Sequence, residues 1–525
     1  MNRTISSIIY SIFLLLIFIM GCQPAPKTNP TPIAPAAPLT PNVNEKEPRL
    51  TSTPGLIELT LTSNYSQIPE KITATPQPET SLDYFINIEN PASGQVQVKG
   101  ILSHYRGETI KLGRGQAGGG RQVPAMSHFL PEGSPLTKSS RYLEIITIPS
   151  NGQERVVFKY DVNLNPKIFP NGYHWYLNNK FGIVEPEYLL FFPIELSGSS
   201  NYLPFQNIKV FFSVPDGWDV LTHWQKEDDH YLARSSPELI LGFLGLGKFE
   251  RVSEDVEGVN VTTAFLNVPQ AKQEEIDRLV FGLYQYYTKK IGHIKESSYL
   301  PRDQYTVAFV SSLGKDLLSN RQMAYGYFSS YQNNDEQEAH RIFHEWNSDS
   351  GAFFGDLFIT EGLVSYYQYQ ALFKSGLWSK SKYNLGIIKE YNEYQRLYKG
   401  TAYDVALDPA QKGVDWNVYY TKGAVVGYML NETMMKVTDN KIDMDDLMKH
   451  LFNNWALKKN ESAEWYNYKY HISVNDLLKS INTITEHDFS DFFQAYVYGN
   501  KPLPVSIKNY RLEVDFNTIP PVPGK

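Results

Sequence analysis

The stretch Glu338-Ala-His-Arg-Ile-Phe-His-Glu-Trp-Asn347 places two histidines four residues apart in a segment with helical spacing. Four residues of α-helix rise about 6 Å and nearly complete one turn, so His340 and His344 leave the same face. Asn334 or Asp335 is a suitable N-cap for this helix. The histidines flank an apolar stripe that consists of Ala339, Ile342, Phe343 and Trp346. The pair is a candidate for two metal ligands, although a lone pair is equally consistent with ordinary packing.

Arg341 lies between these histidines, at a position with a defined role in related patterns. In the common pattern His-Glu-x-x-His, the glutamate after the first histidine is the general base. Arginine stays protonated at any usable pH, so it cannot accept a proton from water, and its charge opposes the binding of a dication. Glu338 and Glu345 lie three residues before and four residues after Arg341, a spacing that predicts an ion network on the helix surface.

Two later segments offer further candidates for the same site. Glu361 follows His344 by 17 residues and lies near the start of a predicted second helix, Leu357–Tyr367. A carboxylate from a second helix is the expected third ligand of such a metal site; the alternative is a solvated or capping acid. Tyr420 lies near the start of another predicted helix, where a phenol can donate a hydrogen bond to a developing oxyanion. The alternative for Tyr420 is a packing role.

The composition of the whole chain excludes some classes of protein. The 525 residues are enough for two or three domains with their own cores. The net charge of −7 argues against a nucleic-acid-binding protein, which needs a basic surface to meet phosphates. Cys22 is the single cysteine, so no disulfide can form within the chain.

The N-terminus has the features of a lipoprotein signal peptide. Arg3 precedes the mostly apolar run Ile8–Met20, which is short for a membrane span. The segment Ile19-Met20-Gly21-Cys22 resembles a bacterial lipobox, which predicts cleavage before Cys22 and its acylation, including palmitate. Two or more acyl chains give stable anchoring in a lipid bilayer. By resemblance to sorted lipoproteins, Gln23 favours the outer membrane over the inner membrane, with the folded part outside the cytoplasm. The alternative is an uncleaved anchor with an incidental cysteine.

The rest of the chain predicts a multidomain protein, first β and then α+β. Eight prolines between Gln23 and Arg49 predict an extended tether. Short alternating runs separated by turn signals predict an N-terminal antiparallel β-sandwich-like domain. Beyond it, the patterns predict a strand at Tyr305–Val310 and helices at Gln270–Ile291, Ile442–Leu457 and Val474–Tyr498. The predicted divisions are signal peptide 1–22, tether 23–52, β domain 53–258, mostly helical domain 259–505 and tail 506–525.

Four groups of residues together resemble the catalytic domain of the glycyl aminopeptidases, which are zinc peptidases of the gluzincin type with a thermolysin-like fold. They are His340-x-x-x-His344-x-Trp-Asn347, Glu361-Gly-x-x-x-Tyr-Tyr367, Tyr419-Tyr-x-Lys-Gly-Ala424, and Phe492-Phe493 with Tyr496-Val497 and Gly499 before Pro502-Leu-Pro504. The resemblance covers about residues 260–505. It implies one zinc ion with His340, His344 and Glu361 as ligands, and Tyr420 as the transition-state tyrosine.

Four departures from the family bear on activity. Arg341 replaces the general base, and the spacing from His344 to Glu361 is shorter than is usual in the family. The segment Met323–Tyr331 has no acid where the family has one that helps to bind substrate, and the tail 506–525 is too short for a PDZ domain. We therefore expect a catalytically impaired pseudopeptidase that binds a peptide or protein ligand. The alternative is an active metal-dependent peptidase that uses a non-standard base.

Overall fold

A computed structural model of the chain describes residues 80–524, apart from short segments of which the longest are 116–123, 166–174, 295–302, 312–325, 408–416 and 456–470. The described residues belong to one compact unit, Thr75–Lys525. Cys22, the predicted signal peptide and the predicted tether lie outside the described residues. None of the helices in the described ranges has the length and apolar character needed to cross a membrane.

The first part of the unit is built mainly of β-strands in which buried and exposed residues alternate, as in β1 and β7. The strands are β1 Ser81–Asn87, β2 Gln95–Ser103, β3 Thr109–Arg114, β4 Ala125–Leu130, β5 Leu136–Lys138, β6 Glu144–Pro149, β7 Arg155–Asn163, β8 Trp175–Leu177, β9 Phe181–Val184, β10 Phe192–Glu195, β11 Asn201–Tyr202, β12 Gln206–Ser213, β13 Asp219–Leu221, β14 Gln225–Lys226, β15 Tyr231–Ser235 and β16 Leu244–Gly247. Two short helices, α1 Pro186–Leu189 and α2 Ser236–Ile240, lie between them.

These strands form three sheets that enclose one hydrophobic core. The sheet orders are β14-β15-β12-β1-β2-β7-β4, β11-β10-β3-β6-β5 and β13-β16-β9-β8. The prediction of purely antiparallel pairing is wrong at one place, because β1 pairs with β12 in parallel. These two strands are far apart in sequence, so no tight hairpin forces them to run in opposite directions.

A second, four-stranded sheet carries the rest of the unit. Its order is β17-β18-β19-β20, and the strands are β17 Glu250–Val256, β18 Val259–Leu266, β19 Gln304–Val310 and β20 Gly326–Ser330. Strands β18, β19 and β20 are parallel. Alternate residues face opposite sides: Val261 and Phe265 belong to the large core shared with the helices, whereas Ala264 and Leu266 cluster with residues of β9 and β13. The sheet therefore joins the β-rich part to the helical part.

The helices that follow supply most of the large core. They are α3 Gln270–Lys290, α4 Asp335–Phe343, α5 Leu363–Lys374, α6 Lys380–Leu397, α7 Asn417–Val437, α8 Met444–Trp455, α9 Val474–Thr485 and α10 Ser490–Tyr496. Short strands β21 Phe354–Gly355, β22 His471–Ile472, β23 Val505–Lys508 and β24 Arg511–Val514 lie between or after them. The single helix predicted for Val474–Tyr498 is instead α9 and α10, because Glu486 adopts a left-handed conformation that ends α9.

Candidate metal centre

Helix α4 sets the direction of the two histidines. Its N-cap is Asn334, whose side chain accepts a hydrogen bond from the Gln337 amide at 2.9 Å, while the Gln337 side-chain oxygen accepts one from the Asn334 amide. The apolar stripe is fully buried, and it consists of Ala339, Ile342, Phe343 and Trp346. With this side of the helix fixed in the core, His340 and His344 share one partly buried face and their ring centroids lie 4.6 Å apart.

Glu361 reaches the histidines from a π-helical turn, Phe358–Gly362, that runs directly into α5. Turns of this kind are rare and are often found at functional sites. The Oε2 atom of Glu361 lies 3.0 Å from His340 Nε2 and 3.7 Å from His344 Nε2. The short spacing between His344 and Glu361 therefore does not prevent the three side chains from meeting.

The other ring nitrogen of each histidine is held by a protein oxygen. His340 Nδ1 lies 2.9 Å from Gln368 Oε1, and His344 Nδ1 lies 2.8 Å from the backbone oxygen of Asn347. Such outer partners fix the tautomer, so that each Nε2 is left to act as a ligand. The Asn347 side chain in turn donates to the Ile359 backbone oxygen at 3.2 Å, which ties the end of α4 to the Glu361 turn.

Sequence reasoning missed the roles of Gln368 and Asn347. Gln368 follows Glu361 by seven residues, about two helical turns, and this spacing on one helix face was the available signal. Asn347 acts through its backbone oxygen, and a backbone group gives no signal in the residue type.

The charges at the site favour metal binding. Burial lowers the pKa of His340 below its ordinary value, although Glu361 opposes this effect, so the neutral ligand form is favoured. Burial acts to raise the pKa of Glu361, but His344 and His340 outweigh it and hold that pKa well below its usual range. The ligand atoms of the three residues lie within 4.8 Å of one another. Two imidazoles and one carboxylate within this span fit one zinc ion.

Tyr420 lies in the first turn of α7, beside the three candidate ligands. Its ring centroid is 5.6 Å from that of His340, whose Nε2 atom lies 3.0 Å from Glu361 Oε2. Burial, followed by the charge of Glu361, raises the pKa of the Tyr420 phenol well above its ordinary value. The phenol therefore keeps its proton and can act as a hydrogen-bond donor in the cleft.

Arg341 lies on the other side of α4, against strand β20. One guanidinium nitrogen is 3.1 Å from Ser329 Oγ and 3.6 Å from a Glu338 carboxylate oxygen, and the group lies over the Tyr327 ring at 5.6 Å. The prediction of an ion network on the helix surface is wrong for Glu338 and for Glu345, because each of these residues is only 2% exposed. Strand β20 packs over this side of the helix, so the pair of Arg341 and Glu338 lies between two elements of the fold.

The segment at which the family has a substrate-binding acid is described only in part. Residues 323–325 lie outside the described residues, and residues 326–330 form β20. In the described residues, the group that could hold a metal ion contains one carboxylate, that of Glu361. A second acid in the position of a general base is therefore not part of this cluster.

Comparison with known proteins gives a likeness of fold. No family model matches the sequence, and no curated protein matches it. The chain is similar to the crystal structure of an aminopeptidase N family protein from Idiomarina loihiensis, with a TM-score of 0.59, 15% identity, and coverage of 80% of this chain and 76% of that chain.

Two further solved structures show a weaker likeness. An M1 zinc metallopeptidase from Deinococcus radiodurans has a TM-score of 0.44 and 13% identity, with 77% of this chain and 89% of that chain covered. Yeast LTA4 hydrolase in complex with bestatin has a TM-score of 0.46 and 11% identity, with 84% and 72% covered. We base the assignment on the first likeness, which supports the predicted peptidase-type fold. The chain shares the fold of an aminopeptidase N family protein, and its resemblance to the glycyl aminopeptidases stays a prediction.

Proposed function

We propose that this protein is a zinc-binding, peptidase-like protein that binds peptides or protein segments in its cleft and hydrolyses them poorly. One observation carries the proposal: His340, His344 and Glu361 form a ligand set that fits zinc, while Arg341 stands where the related pattern has its base. A protein that keeps the ligands and lacks the base keeps the means to bind a peptide carbonyl without the usual means to attack it.

The residues of the cleft support this division of roles. Zinc, when bound, supplies a Lewis acid that polarises a peptide carbonyl. Tyr420 keeps its proton and is placed to donate a hydrogen bond to the oxygen of that carbonyl. Arg341 cannot accept a proton, so it cannot activate water for attack on the carbonyl carbon. The chain thus provides binding and orientation but lacks a proton acceptor at the usual position.

Metal analysis of the purified chain tests the site. We expect about one zinc per chain in the wild type, because the three ligands form a complete protein set for this metal. His344→Ala should lose that zinc. The control is His450→Ala, which changes a histidine on α8 outside the ligand group and should keep it. A wild type without zinc after incubation with the metal would refute the proposal.

A hydrolysis assay separates the proposal from its alternative. The zinc-loaded wild type is incubated with a mixture of unstructured peptides, beside the same protein after chelation. We expect equal, background rates in both samples, and binding of peptides that requires the metal. A metal-dependent rate above background would support the alternative, an active peptidase with a non-standard base.

We also propose that the protein is a lipoprotein anchored through Cys22, in the outer membrane rather than the inner membrane. The lipobox-like segment and the single cysteine support this location. Cells that express the wild type or Cys22→Ser are labelled with a palmitate analogue and fractionated. The wild type should carry the label and enter the outer-membrane fraction, whereas Cys22→Ser should lose both properties. A labelled Cys22→Ser protein would contradict the assignment.

A further inference from the structure

Two glycines meet where the start of α5 crosses α7. A Cβ atom built on Gly423 lies 2.7 Å from the Cα atom of Gly362. A Cβ atom built on Gly362 lies 2.8 Å from a ring carbon of Phe358 and 3.3 Å from the Gly423 Cα atom. Non-bonded carbon atoms are normally about 3.5–4.0 Å apart. The two backbones are therefore in direct contact, with no room for a side chain between them.

Backbone conformation does not require glycine at these positions. Gly362 has φ of −66° and ψ of −54°, which are helical values that any residue adopts. Gly423 lies inside α7 and is not among the positive-φ glycines. Glycine inside a helix is less favourable than alanine. Space at the crossing is therefore the physical reason for both glycines.

The contact lies between two residues of the candidate site. Gly362 directly follows Glu361, and Gly423 is three residues, close to one helical turn, beyond Tyr420. Across this crossing, the Tyr420 ring lies 5.6 Å from that of His340, whose Nε2 atom is 3.0 Å from Glu361 Oε2. The distance between the two backbones thus sets how far the Tyr420 hydroxyl is from Glu361.

A second contact keeps α7 from moving freely. Lys422 is fully buried, and its ammonium group donates to the Val405 backbone oxygen at 2.6 Å, to Asp404 at 3.2 Å and to Asn500. A side chain added at Gly423 would push α7 away from α5 and towards these groups. The cost of moving a buried, paired ammonium limits that movement, so a change at the crossing is not easily absorbed.

We propose that Gly362 and Gly423 are positioning residues, which hold Tyr420 on Glu361 by allowing α5 and α7 to touch. The inference rests on the proposed function only in taking Glu361 as a metal ligand. The contact between the two glycines belongs to the metal-free protein, so it can be tested without zinc.

The test is a double-mutant cycle on the full-length chain after chelation, with Gly423→Ala and Tyr420→Phe, read by thermal unfolding. Gly423→Ala should lower Tm. Tyr420→Phe should lower Tm in the wild-type background and have a clearly smaller effect in the Gly423→Ala background, because the Tyr420 hydroxyl is already displaced from the Glu361 carboxylate there. Additive effects, or a Tm for Gly423→Ala at or above that of the wild type, overturn the proposal.

Two further variants make the result specific. Gly282→Ala is the matched control in the interior of α3, where an added Cβ meets Leu377 at an ordinary 3.6 Å, so its Tm should stay equal or rise. Gly427→Ala, one turn beyond Gly423, brings a Cβ 3.0 Å from the Tyr366 Cβ. This variant should separate α5 and α7 less than Gly423→Ala does. Tyr420→Phe should therefore keep more of its effect on Tm in the Gly427→Ala background. If Gly423→Ala does not fold, a double-mutant cycle of Gly427→Ala with Tyr420→Phe takes its place. The proposal is then overturned if Tyr420→Phe lowers Tm as much in the Gly427→Ala background as in the wild type.

A second measurement separates this inference from the proposed function. Zinc affinity is measured for the wild type, Gly423→Ala and Gly282→Ala by competition with a chelator. We expect weaker binding, by about tenfold, in Gly423→Ala alone, the size of effect typical of groups that orient a ligand. If the wild type binds no zinc, the proposed function is refuted. The double-mutant cycle on the metal-free protein then still tests the role of the two glycines. Equal affinity together with an additive cycle refutes the inference alone.

Discussion

The side of α4 that carries the histidines keeps the residues of the metallopeptidase pattern, whereas the side that carries Arg341 does not. His340 and Arg341 are adjacent in sequence, yet their side chains leave the helix about 100° apart. On the histidine side, His340 Nε2 lies 3.0 Å from Glu361, the candidate third ligand. His340 Nδ1 lies 2.9 Å from Gln368, whose oxygen orients the ring. On the arginine side, a permanent cation stands at the general-base position. Within α4, the departure from the peptidase pattern therefore lies on one side of the helix.

The arginine side is nevertheless well ordered. The Glu338 carboxylate accepts hydrogen bonds from the hydroxyls of Tyr327 and Ser329, both at 2.6 Å, and it lies 3.6 Å from Arg341. Three partners compensate this buried charge, which without them would be costly. Arg341 therefore belongs to a buried polar group that joins α4 to β20. We infer that the cation contributes to the packing of the site as well as replacing the base.

The largest effect is expected from Arg341→Glu. If the histidine side is intact, a carboxylate at this position should create metal-dependent peptidase activity, by about 10²–10⁴-fold over the zinc-loaded parent, the range that a positioned general base contributes. Peptide hydrolysis is measured with and without chelator. Arg341→Gln is the control, since it removes the charge without adding a base.

The neighbour of residue 341 must be considered in this experiment. A glutamate there would stand near Glu338, and the repulsion of two carboxylates raises the pKa of one of them. The double variant Arg341→Glu with Glu338→Gln removes that repulsion. If neither variant gains activity while zinc is bound, the defect is not confined to the arginine side and the comparison fails.

The second-largest effect is expected on the free energy of unfolding. Glu338→Gln should lower the free energy of unfolding by about 1–3 kcal/mol, because it removes the charge that pairs with Arg341 and disturbs two buried hydrogen bonds. Zinc content should not change. Denaturant unfolding and metal analysis check both points. Glu336→Gln is the control on the same helix: it breaks a more exposed pair with Lys389 at 3.1 Å and should cost only about 0–1 kcal/mol.

The smallest effect is expected on the histidine side. Gln368→Leu removes the oxygen that holds His340 Nδ1 and should weaken zinc binding by about tenfold with little change in Tm. Chelator competition measures the affinity, and Gln494→Leu, at an exposed position on α10, is the control. Unchanged affinity in Gln368→Leu would mean that the outer partner does not orient the ligand.

Local patterns predicted the elements better than their connections. The helix that carries the histidines, its N-cap and its buried stripe follow from spacing alone, because a helix repeats every 3.6 residues and buries one face. The division of Val474–Tyr498 into two helices depended on the backbone conformation of Glu486, which no periodic pattern reports. The parallel pairing of β1 with β12 joins segments that are distant in the chain, and local alternation is the same for either direction of pairing.

The sequence by itself determined which chemical groups are present: two imidazoles on one helix face, a later acid and tyrosine, and an arginine that cannot act as a base. Only the tertiary structure decided which of these groups meet. It brings Glu361 to the histidines through a π-helical turn, buries Glu338 beneath β20, and closes the crossing at Gly362 and Gly423. The reason is physical: side-chain chemistry and helical period are local properties, whereas distances between elements depend on how their surfaces pack.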